Sequence, residues 1–126
     1  MNKEAAIKLL STYGEAWMKQ DPDLILTIFT PDATYNDPRE PENHGHAGIR
    51  AYWQDKVVNG QKDISFKLLN TWVAEEGGVV IAEWYAEFTD TKRNMRIKMT
   101  EVGIFTVKDG NFASLHEYYK DTKTPL

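Results

Sequence analysis

At Gly60 the hydrophobic periodicity of this chain changes, and that change restricts its fold more than any other feature. Before Gly60 apolar residues recur at the spacing of a helix face, about every 3.6 residues; after it they alternate, as strand residues do. The alternating half predicts strands over 63–75, 78–89, 95–108 and 111–120. Gly77-Gly78 and Asp109-Gly110 are strong hairpin turns, and Thr89 to Asn94 makes a looser one. Three consecutive hairpins imply a curved antiparallel sheet. The preceding helices must cover one of its faces, so the chain reads as α+β, with the sheet wrapped around an N-terminal helix layer.

In the first half, Ile7, Leu10, Tyr13 or Gly14, and Trp17 predict an amphipathic helix over 3–19. Asp21 caps a second, short helix with Pro22 in its first turn, running through Leu24, Ile25, Ile28 and Phe29. Thr30-Pro31-Asp32 stops it. Residues 33–37 read as a short strand with Tyr35 and Asp37 on one face, and 38–45 as a loop with two prolines. Ile49, Tyr52, Trp53 and Val57 mark a third helix over 47–58.

Alternation in the second long strand places Val80, Ala82, Trp84, Ala86 and Phe88 on the inner face. The next strand places Ile97, Met99, Glu101, Gly103 and Phe105 there, with Arg96 and Lys98 expected to oppose Glu83 and Glu87 outside. Glu101 is thereby a carboxylate on an apolar face. An unpaired charge there costs several kcal/mol or shifts its pKa. A polar pocket, a partner elsewhere in the chain, or a phase change through a bulge would each account for it.

The 126 residues fit one domain, 1–126, with one core. A net charge of −4 without a Lys/Arg cluster argues against nucleic acid as a partner. No apolar run approaches the roughly 20 residues of a membrane helix. The amino terminus carries charges through its apolar positions, which reads as helix rather than signal peptide, and a cytoplasmic protein is expected. Cysteine is absent, which excludes disulfides, thiolate metal sites and a cysteine nucleophile. There is no nucleophilic serine motif, no Gly-rich phosphate loop and no cofactor fingerprint, so cofactor-free chemistry is expected.

Tyr13-Gly14-Glu15-Ala16-Trp17, Asp21-Pro22-Asp23-Leu24 with Phe29, and Pro31 to Pro38 occur in order with Gly45 to Trp53 and Asp109-Gly110 leading into Leu115-His116-Glu117-Tyr118-Tyr119. In that order and spacing they resemble the ketosteroid-isomerase/SnoaL-like superfamily, also called nuclear-transport-factor-2-like. The resemblance implies a cone-shaped domain around one pocket for a small organic molecule. It does not imply one activity, because the fold hosts isomerases, cyclases, dehydratases, epoxide hydrolases and non-catalytic binding or assembly domains.

In ketosteroid isomerases a tyrosine on the first helix is an oxyanion donor, and Tyr13 matches it. An aspartate ending the first strand is the base, and Asp37 matches it. A second donor in those enzymes is a carboxylic acid kept protonated in an apolar site. Its counterpart here is Gly103, so the donor is missing. Glu101, two residues earlier and about 6–7 Å along the strand, is the candidate substitute.

The candidate catalytic residues are therefore Asp37, Tyr13 and Glu101. The bland readings are an Asp-Pro turn for Asp37 and an ordinary buried hydroxyl for Tyr13. Trp17, Tyr35, Trp53, Trp84 and Met99 are expected to line one cavity, joined by Phe105 on the same inner face. The resemblance also turns Leu115, Glu117 and Tyr119 inward; a slip of one residue would turn His116 and Tyr118 inward instead. His44 and His46 lack a recognisable metal-ligand pattern, and no metal site is expected. The partners expected are a small apolar organic molecule and a second copy of the chain, packed through an outer face bearing Ile81, Tyr85, Val102, Ile104, and His116 or Tyr118.

Overall fold

The computed structural model describes residues 1–126. Helix α1 (Lys3–Lys19) starts where Asn2 Oδ1 accepts the Ala5 N–H at 2.8 Å, which satisfies one of the free donors of the first turn. It buries Ala6, Leu10, Tyr13, Gly14, Ala16 and Trp17. The stripe passes through Ala6 rather than Ile7, which is 38% exposed. Asp21 caps α2 (Pro22–Leu26) through the Asp23 and Leu24 N–H groups.

Helix α2 is shorter than the sequence suggests, because Phe29 already begins strand β1 (Phe29–Asn36). Pro31 therefore lies inside a strand. It falls where the pairing register of β1 shifts between Phe29 and Thr34, so its missing N–H breaks no regular ladder. The two-residue strand β2 (Asn43–His44) lies in what reads as loop, and α3 (Gly45–Trp53) begins two residues early. A π-type turn over Gln54–Val58 continues α3 to the end expected for it.

Strands β3 (Gln61–Ala74), β4 (Val79–Asp90), β5 (Met95–Lys108) and β6 (Asn111–Pro125) form an antiparallel meander. β1 joins β6 in parallel, giving one mixed six-stranded sheet of order β2-β1-β6-β5-β4-β3. Asp109 and Gly110 have φ of 53° and 77°, the positive pair that a tight two-residue hairpin turn demands. Strand β6 runs five residues past its expected end, because it stays paired with β5 as far as Met95↔Pro125.

The inner face carries the expected residues. Val80, Ala82, Trp84, Ala86 and Phe88 of β4 are buried, as are Ile97, Met99, Glu101, Gly103 and Phe105 of β5. Outside, Lys98 opposes Glu87 as expected, but Arg96 opposes Thr89 and reaches Glu87 only diagonally at 3.9 Å. Glu83 opposes Val102 and instead accepts a 2.8 Å hydrogen bond from Asn70 Nδ2. The β4–β5 turn sets this register, and charge pairing has to follow it.

Trp84 is fully buried among Tyr13, Phe66 and Phe105, with ring centroids 5.1, 5.8 and 6.3 Å away. It lies against Gly103, where an added Cβ would come within 2.7 Å of its ring and 2.8 Å of Phe105. Both rings are enclosed, so neither can yield cheaply. Gly103→Ala is expected to cost about 1–3 kcal/mol through overpacking. Chemical denaturation measures this; an unchanged midpoint would show that the rings move aside.

Candidate functional site

The rings around Trp84 fill one end of the concave face of the sheet. The other end, beneath α3 and the β4–β5 turn, is open and holds a cavity of about 320 Å³. Tyr13 and Trp17 reach it from α1, Tyr35 from β1, Trp53 from α3, Met99 and Glu101 from β5, and Glu117 and Tyr119 from β6; Asp37 reaches it from just beyond β1. Trp84 and Phe105 do not line it. Both are on the inner face, but their rings are spent on Gly103 and the closed core. Inward orientation alone cannot tell a wall residue from one packed behind it.

Strand β6 takes the phase that turns Leu115 and Glu117 inward and leaves His116 and Tyr118 exposed. His116 opposes Ile104 on the outer face and cannot meet Asp37. His46 donates through Nε2 to the Phe29 carbonyl at 2.9 Å, and His44 stands 3.6 Å from the Glu42 carboxylate.

Asp37 is held by three donors. Its Oδ2 accepts from Tyr52 Oη at 2.6 Å, and its Oδ1 from Tyr119 Oη at 2.8 Å and the Arg39 backbone N–H at 3.0 Å. The Asp-Pro turn and the cavity position therefore coexist in one residue. Tyr52 is the member of this group that sequence reasoning passed over. It occurs in the Ile49–Tyr52–Trp53 spacing, but a helix face wide enough for all three does not say which one meets Asp37.

A second chain of polar groups runs along the inner wall. Tyr13 Oη donates to Glu117 Oε2 at 3.2 Å and lies 3.1 Å from Tyr35 Oη. The Tyr13 proton is committed to Glu117, so Tyr35 donates to Tyr13. Glu101 and Glu117 are 2% and 6% exposed, and the β5–β6 register makes them diagonal neighbours on one face. Burial first, and then the Glu117 carboxylate, push the Glu101 carboxyl well above the usual range. Burial also raises Glu117, while the neighbouring Glu101 carboxyl and the Tyr35 and Tyr13 hydroxyls hold it down. Glu101 is thus the member that keeps its proton, and its Oε2 is buried without a hydrogen-bond partner. Tyr13, Tyr35 and Tyr52 are raised chiefly by burial and stay protonated donors.

At the rim, Arg39 pairs with Asp121 at 3.1 Å and lies 4.8 Å from the centre of the Tyr119 ring; Lys56 pairs with Glu40 at 2.6 Å. These contacts tie the 37–42 loop to β6 and to the turn after α3. Inside, Trp17 Nε1 donates to Gln61 Oε1 at 2.7 Å. No group of three or more His, Asp and Glu residues is arranged to hold a metal ion, and no helix is long and apolar enough to cross a membrane.

The fold has counterparts among solved structures. The chain superposes on a protein with a ketosteroid isomerase-like fold from Catenulispora acidiphila, solved with trimethylamine, at TM-score 0.79 and 16% identity over 89% of this chain and 85% of that one. It superposes on SalBIII, an epoxide hydrolase/cyclase-like enzyme of pyran ring formation in the polyether salinomycin, at TM-score 0.78 and 23% identity over 94% and 93%. A LEH-like epoxide hydrolase of M. tuberculosis gives TM-score 0.75 and 16% identity over 93% and 84%. At these identities the likeness is one of fold. No curated protein matches the chain by sequence. The sequence pattern of the SnoaL-like domain, however, matches residues 10–115. That match covers most of the chain and includes the second half of α1, the β1 end and the β5 carboxyl, and with it the chain belongs to the SnoaL-like family.

Proposed function

We propose that the cavity performs cofactor-independent acid–base chemistry on a small organic molecule, as an isomerase, cyclase or lyase. Asp37 is the base and Glu101 the acid. The observation that carries this reading is the pairing of two unlike carboxyl groups on one cavity wall: one accepting from phenols, the other buried and protonated. A buried, protonated carboxyl and a carboxylate held by phenols supply one cavity with an acid and a base. Asp37 takes a proton from a carbon next to a carbonyl, or from an attacking hydroxyl. Glu101 gives its proton to the oxygen on which negative charge develops, and Glu117 holds the acid in place. Return of one proton from Asp37 to Glu101 restores the starting state. Tyr13, the donor suggested by the family resemblance, is a positioning residue here, because its proton goes to Glu117. The cyclase and hydrolase names of the fold neighbours support this reaction class.

A panel of small enones, β-keto esters and hydroxy-epoxides, followed by mass spectrometry and NMR, tests the reading. Turnover of one class is expected, reduced about 10²–10⁴-fold in Asp37→Asn. That variant leaves one phenol without its acceptor and should lose only about 1 kcal/mol of stability. Ligand retention without turnover, unchanged in Asp37→Asn, would instead assign a binding domain of the same fold.

The acid itself is tested by stability against pH. Folded Glu101 keeps a proton that the unfolded chain releases above about pH 4.3. Its favourable contribution is complete below that value and is lost as pH rises toward the folded pKa, by about 1.4 kcal/mol per pH unit in that window. Glu101→Gln should therefore gain on the wild type as pH rises from 5 to 9. A stability difference constant over that range would show that Glu101 ionises like an exposed carboxyl and would remove it as the acid.

We also propose that the outer sheet face joins two copies of the chain. Trp72, Ile81, Ile104 and His116 lie in one row across β3 to β6, with Trp72 50% and Ile104 39% exposed and Tyr118 beside them 54% exposed. Such a row of large groups is unusual on a monomer, and a two-fold axis would make it self-complementary. Sedimentation at micromolar concentration should give a dimer that Ile104→Glu converts to monomer. A monomeric mass for both chains would rule the interface out.

A further inference from the structure

The cavity is unevenly charged along its depth. Its inner wall carries Asp37, Glu101 and Glu117, and no Lys, Arg or His nitrogen forms an ion pair with any of them. The basic side chains that border the cavity stand at the rim, where Arg39, Lys56, Lys92 and Arg93 are partnered by Asp121, Glu40, Asp55 and Asp90, and Lys123 is exposed and unpaired. None of the three carboxyls is thus in a direct ion pair, and Arg39 and Lys56 act on Asp37 only from a distance. Glu101 is 2% exposed, and its Oε2 finds no hydrogen-bond partner.

The wall also carries aromatic rings, Trp17, Tyr35, Tyr52 and Trp53, beside Val57, Ile97 and Met99. Ring faces attract cations through their quadrupole, most strongly where water is excluded. An anionic ligand would face the Asp37 and Glu117 carboxylates here, and a neutral one would do nothing to offset them. A cation satisfies both the acids and the rings, and an N–H on it supplies the donor that Glu101 Oε2 lacks.

We propose that the molecule taken up by this cavity carries a basic nitrogen and binds as a protonated amine, its ammonium group between the inner carboxyls and the aromatic wall. This rests on the reading of the cavity as the ligand site and narrows its ligand class. A chemical step on such a molecule would leave the nitrogen unchanged, as the anchor that presents the neighbouring carbon or oxygen to Asp37 and Glu101.

Three probes of matched shape separate charge from fit: 2-(dimethylamino)ethanol, which is protonated at neutral pH, neutral 3-methylbutan-1-ol, and anionic 3-methylbutanoate. Titration of the intact protein is followed at the indole N–H signals of Trp17 and Trp53 in a nitrogen-15 correlation spectrum. The amine is expected to shift these signals with a Kd at least about tenfold below that of the alcohol, with the carboxylate weakest. Glu117→Gln should narrow the preference for the amine to about threefold or less, its amide spectrum reporting that the fold is kept. Should that variant not fold, Asp37→Asn is read in the same way. Equal or tighter binding of the alcohol or the carboxylate overturns the amine inference and leaves the cavity as a ligand site. Absence of any shift with all three probes overturns the inference together with the cavity reading beneath it.

Discussion

The packing of Trp84 against Gly103 sets the division of this molecule into a filled half and an open half. A curved sheet presents more concave surface than one long and two short helices can cover, and the rings must be shared out. Trp84, Phe105, Phe112 and Phe29 close one end of the concave face, with ring centroids 4.2 Å apart for Phe105 and Phe112. Gly103 makes this possible by leaving room for an indole where any side chain would collide. In doing so it leaves no side chain at the position that the resemblance to ketosteroid isomerases would match to their second donor. The buried carboxyl of this strand lies two residues away, at Glu101, where the filled core meets the cavity.

That boundary position accounts for the electrostatics. Glu101 is too enclosed for water to stabilise its charge, and its nearest titratable neighbour is another buried carboxyl, so neutralisation is the cheaper outcome. Glu117 differs from it in having hydroxyls of Tyr35 and Tyr13 that favour its charged form, and Glu101 is left to hold the proton. The tyrosines extend the same logic. Their buried hydroxyls each need a partner, and the carboxylates supply acceptors, so hydrogen bonds that satisfy the core also fix the geometry of the cavity wall. Tyr52 and Tyr119 bring α3 and β6 to Asp37, and the Arg39–Asp121 and Lys56–Glu40 pairs draw the 37–42 loop across the same opening. Exposed ion pairs of this kind contribute little stability. Their role is to give the loop one preferred seat.

Periodicity by itself determined the two halves of the chain, the four long strands, the hairpin turns and the inner phase of β4 and β5. A one-residue error in phase would have placed Trp84 in water, so a strong hydrophobic pattern admits only one solution. Glu101 was visible for the same reason, as the one charge that broke the apolar face. The ends of β1 were less visible, because Phe29 fits a helix face as well as a strand and Pro31 argues against a strand. Its neighbour β6, which is far away in the chain, decides the matter. The phase of β6 itself was open between Glu117 and His116, and pairing with β5 settled it. Only tertiary structure could separate Tyr13 and Glu117, which line the cavity, from Trp84 and Phe105, which lie behind its wall. It alone brought Tyr52 onto Asp37 and left Glu101 and Glu117 as diagonal neighbours without a cation. A sequence pattern reports which face of an element a side chain occupies, whereas a site depends on distances between elements that the chain order does not encode.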